Sequence, residues 1–328
     1  MNFLPAVAVI EPLVTLADNI DIAVIVPCHN EERPIAHVIQ DFRKALPGAR
    51  IYVYDNNSTD ATVAVANTAG ATVRSERFQG KGNVVRRMFA DIEADIYVLV
   101  DGDNTYEAAA APRMIRRLID EGLDMVTGVR VANSCEAFRR GHRFGNRLLT
   151  GLVARIFGRC TRDMLSGYRV FTRRFVKSFP ALSRGFEIET ELTVHALELR
   201  MQFGEEDTVY EERLPGSASK LNSIRDGFRI LRMIVGLLKE ERPLPLFGGL
   251  AAFTGLCGLG LFAPILSEYL ATGLVPRFPT LIASSAMFVV AALLLLIGVV
   301  LDSVTHGRRE MKRLFYLGLP ALMAKLEQ

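Results

Sequence analysis

The protein has 328 residues, of which 39 are basic and 36 acidic, and its net charge is +3. A charge so close to balance excludes the strongly basic surface expected of a nucleic-acid-binding protein, and no nucleic-acid partner is predicted. Four scattered cysteines without a Cys-x-x-Cys pair exclude a disulfide framework and indicate reduced thiols of the cytosol. The first 21 residues contain no lysine or arginine, so no signal peptide is expected there.

Strand-like and helix-like segments alternate through the first 130 residues. Strands are predicted at 22–26, 51–54, 71–74, 96–100 and 125–129, and helices at 31–46, at 61–69, up to about residue 93 and at 108–121. This alternation predicts an α/β domain with a mainly parallel sheet and right-handed crossovers. The pattern is less regular afterwards, with one more helix that ends near residue 201 and a strand at 208–212.

Two carboxylates, Asp101 and Asp103, directly follow the apolar run 96–100 and are separated by one glycine. Such a run is typical of a buried central strand in a parallel sheet, and ligands of these sheets bind beyond the carboxyl ends of the strands. The two acids could therefore bind one hard divalent cation that carries a diphosphate. A helix cap or a solvated turn is the alternative, because aspartate and glycine are common in turns.

Polar residues also end two other predicted strands, at 27–31 and at Asp55. Acids gathered at this edge of the sheet indicate a nucleotide diphosphate held through a metal. A dinucleotide-binding loop is disfavoured, because Gly80-Lys81-Gly82 has Val85 where a third small residue is needed and does not directly follow the first strand. A P-loop is disfavoured because the sequence has no Gly-Lys-Ser/Thr.

Two runs of 21 residues, 246–266 and 281–301, contain no charged residue and are joined by a short loop. Each is long enough to cross a bilayer, which predicts an antiparallel transmembrane hairpin; two buried helices of a soluble protein are the alternative. Basic residues flank the pair on both outer sides and predict a multi-pass protein of the inner (cytoplasmic) membrane with its large N-terminal part in the cytoplasm. Apolar residues at helical spacing over 224–238 predict either a helix on the membrane surface or a helix facing the core.

Six motifs follow one another along the chain. They are Val26-Pro27-Cys28-His29-Asn30-Glu31, Asp55-Asn56-Asn57-Ser58-Thr59-Asp60, Gly80-Lys81-Gly82, Asp101-Gly102-Asp103, the segment 163–169 and the loop 213–220. Together with the hairpin they resemble family 2 glycosyltransferases of the polyprenyl-phosphate sugar synthase type. The chain is similar to dolichol-phosphate mannose synthases, and more similar to bacterial polyprenyl-phosphate glucosyltransferases that end in a two-helix hairpin. The resemblance covers nearly the whole chain from about residue 22.

The resemblance implies a GT-A fold, which is Rossmann-like, in a cytoplasmic domain at 1–221. An amphipathic juxtamembrane helix at 222–243, the transmembrane hairpin at 244–303 and a basic cytoplasmic tail at 304–328 would follow. The implied reaction is an inverting, metal-dependent transfer of a hexose from a nucleotide sugar to polyprenyl phosphate, with UDP-glucose as the first expected donor and undecaprenyl phosphate as an acceptor. Such products serve the modification of cell-envelope polysaccharides or lipids.

The resemblance also assigns roles residue by residue. The residues expected to bind the nucleotide are Pro27, His29, Glu31, Asp55, Lys81, Asp101, Arg213 and Lys220. Asp101 and Asp103 would bind Mg²⁺ or Mn²⁺, and the acceptor phosphate would contact Arg130, Arg143 and Ser219. Asp163, Asp103 and Arg130 are the expected catalytic residues. Asp163 would orient the arginines or assist proton removal, and a strong base is unnecessary because a phosphate monoester, with a second pKa of about 6, is largely anionic at neutral pH.

Some positions depart from the family pattern. Cys28-His29 stands where Thr-Tyr is usual, and Thr105 stands where mannose synthases often have a glutamine near the metal. His29 would either stack on the base or be a polar residue at the edge of the site. Glu187 and Glu189 would either line the sugar pocket or cap the next helix.

Other functions are compatible with parts of this sequence. A dolichol-phosphate-mannose-type synthase that uses GDP-mannose is one alternative, and a catalytically silent membrane scaffold is another. A processive polysaccharide synthase is disfavoured, because the chain has no tryptophan and only two predicted spans. The sequence does not fix the sugar, the length of the lipid acceptor or whether the hairpin supports a homo-oligomer.

Overall fold

The computed structural model describes residues 20–132, 151, 161–181, 185, 187–211, 236, 239 and 242–322. The chain divides into two compact units, one made of Met1–Ser223 with Leu314–Gln328 and the other of Ile224–Arg313. Within the described residues, the first unit is an α/β domain and the second contains two long helices.

A seven-stranded sheet forms the centre of the first unit. In chain order its strands are β1 (Ile22–Cys28), β2 (Arg50–Asp55), β3 (Thr72–Ser75), β4 (Ile96–Leu99), β5 (Met125–Ala132), β6 (Arg169–Thr172) and β7 (Phe203–Tyr210). The order across the sheet is β3-β2-β1-β4-β6-β5-β7, with β6 antiparallel to β4 and β5 and the other pairs parallel. The predicted α/β fold and mainly parallel sheet are confirmed, and β4 is the middle strand.

Helices cover both faces of this sheet. On one face the core includes residues of α1 (Ile35–Ala45), α2 (Thr62–Thr68) and α4 (Ala111–Asp120), and on the other it includes residues of α3 (Lys81–Asp91), α5 (Arg173–Ser178) and α6 (Ile188–Glu198). Because side chains alternate along a strand, β1 contributes Val24 and Val26 to the first core and Ala23 and Ile25 to the second. All four side chains are fully buried.

The strand directions bring several loops to one edge of the sheet. β1, β2, β4 and β5 end at this edge, and β6 begins there because it is antiparallel. Leu99 at the end of β4 pairs with Arg169 at the start of β6, which in turn pairs with Thr127 of β5. The loops after β1, β2 and β4 therefore lie at the same edge of the sheet as the segment 161–168 that precedes β6.

The ends of two strands differ from the prediction. β1 continues through Pro27, which pairs with Tyr54 of β2, although the sequence predicts that the strand stops before it. The pairing of β1 with β4 ends at Ile25, so the missing N–H of the proline leaves that ladder intact. β7 begins at Phe203, before the predicted start at 208. The sequence does not indicate these first residues because residues 205–207 are all charged and interrupt the apolar alternation. In the fold these three side chains form ion pairs with arginines.

The first helix also begins later than predicted, at Ile35 rather than at residue 31. Asn30 has a φ of 53°, in the left-handed region, so the chain turns before the helix. The N–H of Glu31 donates a hydrogen bond of 2.8 Å to the Thr62 hydroxyl of α2. This bond holds the loop after β1 against the start of α2, so residue 31 belongs to that loop and not to the first helix.

The C-terminal segment of the chain belongs to the first unit. The Tyr316 hydroxyl donates a hydrogen bond of 2.7 Å to Oδ2 of Asp124, and the Arg174 guanidinium lies 4.4 Å from the centre of the Tyr316 ring. Asp124 is fully buried, and Leu322 packs on the core of α1, α2 and α4. The predicted tail at 304–328 therefore includes residues that fold onto the α/β domain.

The second unit contains α7 (Pro243–Thr272) and most of α8 (Phe278–Leu317), both long and apolar enough to cross a membrane. The helices approach closely at small residues: the Ser284 hydroxyl donates a hydrogen bond of 3.2 Å to the carbonyl of Gly258, and a Cβ at Gly258 would lie 3.2 Å from that of Met287. Large apolar side chains such as Leu256 and Val289 are more than half exposed. Such exposure is unusual for helices of a soluble core and matches side chains that face lipid.

Candidate active site

The turn after β4 carries the two acids predicted to bind a metal. Asp103 is buried, and its Oδ1 accepts hydrogen bonds from the backbone N–H of Thr105 at 3.3 Å and from its hydroxyl at 2.7 Å. A Cβ at Gly102 would lie 2.6 Å from Sγ of Cys28 in β1, so the residue between the acids has no room for a side chain. The turn is therefore packed tightly against the sheet.

A second glycine makes room for Asp101. Gly167 lies in the segment before β6, and a Cβ at this position would overlap Oδ2 of Asp101. The N–H of Gly167 donates a hydrogen bond of 2.9 Å to the hydroxyl of Tyr106, which joins this segment to the loop after β4. Two parts of the chain that are distant in sequence thus meet at the Asp101 carboxylate.

If Asp101 binds the metal and the nucleotide as predicted, Gly167→Ala should weaken the binding of Mn²⁺ with UDP by about tenfold or more, because the added methyl group must push the Asp101 carboxylate aside. Isothermal titration of the detergent-solubilised protein measures the change. Gly48→Ala is the matched control, since nothing lies within 4 Å of a Cβ at that position. Equal affinities for the two variants would contradict a role for the Gly167–Asp101 contact in ligand binding.

Lys81, the first residue of α3, lies between two carboxylates. Its Nζ forms ion pairs with Oδ1 of Asp101 and, at 2.6 Å, with Oε1 of Glu189 in the first turn of α6. Burial by itself lowers the pKa of Lys81, but the two carboxylates outweigh it and raise that pKa above its ordinary value. Burial raises the pKa of the Glu189 carboxyl, and Lys81 opposes this shift. Lys81 is therefore a charged cation within the site at neutral pH.

Arg130 of β5 and Asp163 form a buried bidentate ion pair. Nε and Nη2 of Arg130 donate to Oδ2 and Oδ1 of Asp163 at 2.7 and 2.8 Å, and the backbone N–H of Arg130 donates to Oδ2 at 3.3 Å. Burial by itself raises the pKa of Asp163, but the hydrogen bonds and the charge of Arg130 lower it below its ordinary value. Asp163 is therefore ionised at neutral pH, and this geometry suits the orientation of Arg130 better than the removal of a proton.

Arg169, at the start of β6, is fully buried and holds the segment that precedes it. Its guanidinium donates to the carbonyls of Ser166 at 3.0 Å and Met164 at 2.6 Å, and to the hydroxyl of Thr193 in α6 at 2.8 Å. Thr193 donates in turn to the carbonyl of Glu189 at 3.2 Å. Burial lowers the pKa of Arg169 to about 10. One buried cation thus fixes both the segment that carries the ion-paired aspartate and the first turn of α6.

The loops after β1 and β2 are bonded to each other. The N–H of Asn30 donates to the hydroxyl of Ser58 at 2.8 Å, and the carboxylate of Asp55 accepts from the N–H of Ser58 at 3.2 and 3.3 Å. Asn56 donates to two carbonyls of the loop 76–78, which leads to α3. Four residues predicted to bind the nucleotide lie on these strand ends and loops: Pro27, His29, Glu31 and Asp55.

The structure brings nine of the predicted site residues to this edge of the sheet: Pro27, His29, Glu31, Asp55, Lys81, Asp101, Asp103, Arg130 and Asp163. Arg143, Arg213, Ser219 and Lys220 lie outside the described residues, as does most of the amphipathic stretch 224–238. The roles assigned to all these residues stay predictions. Sequence reasoning missed the buried Arg169, whose only signal was its place in the segment 163–169.

The alternatives left for the two glutamates are now narrower. Glu187 occupies the N-cap position of α6, but its side chain makes no capping hydrogen bond. The carboxylate of Glu189 forms an ion pair with Lys81, and Glu189 does not occupy the N-cap position of α6. The link between Glu189 and Lys81 could not be found in the sequence, because the two residues are 108 positions apart.

The oxygen donors at this edge fit a hard divalent cation. In the part of the chain that the structure describes, no group of three or more His, Cys, Asp or Glu side chains is arranged so that it could hold a metal ion by itself. A cation held by Asp101 and Asp103 would therefore take its other oxygens from a diphosphate and from water, which is the usual way that Mg²⁺ binds beside substrate phosphates.

Comparison with known proteins assigns the chain to a family. A family model described as Glycosyl transferase family 2 matches residues 23–179. Glycosyltransferase AglJ of Haloferax volcanii is 36% identical over 296 residues, which cover 89% of this chain and 97% of that protein. The chain belongs to glycosyl transferase family 2. A dolichyl-phosphate hexose transferase of Haloferax volcanii is 28% identical over 222 residues, 68% of this chain and 96% of that protein.

This family 2 glycosyltransferase shares its fold with solved enzymes. The glucosyl-3-phosphoglycerate synthase of Mycobacterium tuberculosis in complex with Mn²⁺, UDP and glucosyl-3-phosphoglycerate superposes with a TM-score of 0.58 and 21% identity, covering 73% of this chain and 86% of that one. The same synthase has been solved with Mg²⁺ and UDP. The predicted GT-A fold and the predicted membership of family 2 of the glycosyltransferases are confirmed.

Proposed function

We propose that this glycosyltransferase moves a hexose from a nucleotide sugar, with UDP-glucose as the first candidate, to the phosphate of a polyprenyl phosphate at the cytoplasmic face of the membrane. One observation carries the proposal: paired acids and a bidentate Arg130–Asp163 pair share one sheet edge, in a chain with two helices of membrane-spanning length. The relative named dolichyl-phosphate hexose transferase and the UDP complexes of the structural neighbours support it.

The charges at this edge suit two substrates that both carry phosphate. Asp101 and Asp103 would hold a Mg²⁺ or Mn²⁺ ion, which neutralises the leaving diphosphate when bound. Lys81 adds a positive charge next to these acids. Arg130, oriented by Asp163, presents a guanidinium, the group best suited to bind a phosphate through two hydrogen bonds.

Tyr106 lies between the Lys81–Asp101 ion pair and the Arg130–Asp163 ion pair. Its hydroxyl accepts the hydrogen bond from Gly167, beside Asp101, and its ring lies 5.3 Å from that of Tyr210. The guanidinium of Arg130 lies 5.5 Å from the centre of the same Tyr210 ring. The donor and acceptor phosphates would therefore bind on either side of the Tyr106–Tyr210 aromatic pair.

The proposed reaction is a single displacement. An oxygen of the acceptor phosphate attacks the anomeric carbon, and the bond from that carbon to the diphosphate oxygen breaks with its electron pair leaving on the diphosphate. One displacement inverts the anomeric configuration. The nucleophile is already anionic, so Asp163 need not take a proton, and its role is to hold Arg130 in place.

The pH dependence of transfer should follow the acceptor rather than Asp163. Because the pKa of Asp163 is lowered in the folded protein, its ion pair with Arg130 is fully present above the ordinary value of about 3.9 and is lost only as the pH falls through the lower folded value. The acceptor phosphate instead gains a proton near its second pKa of about 6. We expect kcat/KM for the acceptor to fall below that pH in both the wild type and Asp163→Asn. An acidic limb near that pH in the variant alone, with the wild type keeping its kcat/KM down to the lower pKa of Asp163, would identify Asp163 as a general base.

A donor panel tests the proposed function. Purified full-length protein is incubated with undecaprenyl phosphate, Mg²⁺ or Mn²⁺, and radiolabelled UDP-glucose, UDP-galactose, GDP-mannose or a UDP-uronic acid, and the organic phase is counted. Label from UDP-glucose supports the proposal. Label from GDP-mannose alone would indicate a dolichol-phosphate-mannose-type synthase, and no label from any donor would indicate a silent scaffold.

A further inference from the structure

Lys81 forms an ion pair with Asp101, one of the two carboxylates that would bind the proposed metal ion. Its Nζ pairs with Oδ1 of Asp101 and, at 2.6 Å, with Oε1 of Glu189. The other oxygen of Glu189, Oε2, is buried and has no hydrogen-bond partner among the residues that the structure describes. The carboxylates of Asp101 and Glu189 thus share the single ammonium group of Lys81. One negative charge of this three-residue cluster is left without a matching positive charge among its members.

The burial of this cluster makes the ammonium hard to replace. The side chains of Lys81 and Glu189 are 8% and 6% exposed, so water solvates neither charge well. A divalent cation that reached Asp101 without a nucleotide would either displace the ammonium group of Lys81 or lie beside it. The first case breaks a buried ion pair and the second places like charges close together. Asp101 is 29% exposed, so its bond to Lys81 is the more accessible of the two.

We propose that Lys81 is an internal counter-ion that occupies the metal position at Asp101 until the nucleotide binds, and that Glu189 is the positioning residue that keeps the ammonium in the site. This inference rests on the proposed function. The diphosphate of the donor brings negative charge toward which the ammonium can turn while it stays bound to Glu189, and Asp101 is then released to the cation. Cation and nucleotide should therefore each strengthen the binding of the other.

Binding of Mn²⁺ to the full-length protein in detergent, followed by electron paramagnetic resonance with and without UDP, tests the proposal. For the wild type, UDP should raise the Mn²⁺ affinity by about 100-fold. In Lys81→Met, Mn²⁺ alone should bind at least about tenfold more tightly, and the effect of UDP should shrink to about tenfold or less. A general electrostatic effect of Lys81 would change the Mn²⁺ affinity by the same factor with and without UDP.

Lys177→Met is the matched control. Lys177 also pairs with a glutamate, Glu93, at 2.8 Å, and it donates to two backbone carbonyls, but it lies on α5. Its loss should leave the Mn²⁺ affinity and the effect of UDP at their wild-type values. An equal change in both lysine variants would show that the effect does not come from the cluster at Asp101.

Glu189→Gln tests the positioning role. Glutamine keeps the size of the side chain but holds the ammonium less strongly, so Lys81 should pair with Asp101 alone and Mn²⁺ alone should bind about tenfold more weakly than to the wild type. Glu189→Asp, which keeps the charge, should recover part of this loss. An unchanged Mn²⁺ affinity in Glu189→Gln would overturn the role given to Glu189.

The wild type alone can overturn the proposal. If UDP changes its Mn²⁺ affinity by less than about threefold, Lys81 does not couple the two ligands, whether or not any variant folds. A Lys81→Met variant that keeps the wild-type effect of UDP has the same consequence. Failure of the proposed function is seen separately, because the wild type would then bind UDP and Mn²⁺ without transferring hexose to a lipid phosphate.

Discussion

Replacing Asp103 with asparagine is expected to lower kcat/KM for hexose transfer by about 10²- to 10³-fold. Asparagine can still accept the hydrogen bonds from Thr105, so the turn after β4 should keep its shape while the site loses one anionic ligand. Steady-state kinetics at saturating Mn²⁺ measure the loss, and thermal melting verifies that the variant is folded.

Asp120→Asn serves as the control for this substitution. Asp120 is exposed at the end of α4, so the same chemical change there should leave transfer at the wild-type rate. Transfer by Asp103→Asn at the rate of this control would contradict the assignment of Asp103 to the metal.

Replacing Arg130 with alanine is expected to cost both stability and activity. The side chain of Asp163 is 7% exposed, and the substitution removes the guanidinium that donates two of its hydrogen bonds. Removing one partner of a buried ion pair costs about 3–5 kcal/mol in the free energy of unfolding. Thermal unfolding followed by circular dichroism should therefore show a clear fall in Tm, and hexose transfer should be lost.

The double variant Arg130→Gln with Asp163→Asn separates the two effects. It removes both charges while keeping side chains that can hydrogen-bond to each other, so it should recover more than half of the lost stability. It should nevertheless stay inactive, because the acceptor phosphate has lost its guanidinium. A double variant that transfers hexose at the wild-type rate would show that the pair only stabilises the fold.

The sequence predicts best those parts of the fold that have a strong local pattern. The apolar run of β4 identifies the middle strand, and the acids that follow it identify the edge at which the site lies. The two 21-residue uncharged runs were also predicted correctly as helices, and they lie within α7 and α8. Their length and composition are enough to identify them. Each of these predictions needed only neighbouring residues.

The remaining features depend on contacts between distant parts of the chain. β6 has four residues and runs antiparallel in a mainly parallel sheet, so its direction is decided by pairing with β4 and β5 rather than by its own pattern. The ion pair between Lys81 and Glu189 and the bond from Arg169 to Thr193 arise in the same way. No local rule relates these residues, and the fold alone brings them together.

Two acceptors that differ only in the phosphate distinguish transfer to a lipid phosphate from transfer to a hydroxyl group. Wild-type protein is given radiolabelled UDP-glucose, Mn²⁺ and either undecaprenyl phosphate or undecaprenol, and the label in the organic phase is measured. We expect label with the phosphorylated lipid and none with the alcohol, because in the proposed reaction the phosphate is both the nucleophile and the group that Arg130 binds. Equal labelling of both lipids, or no labelling of the phosphate by protein that binds UDP, would contradict it.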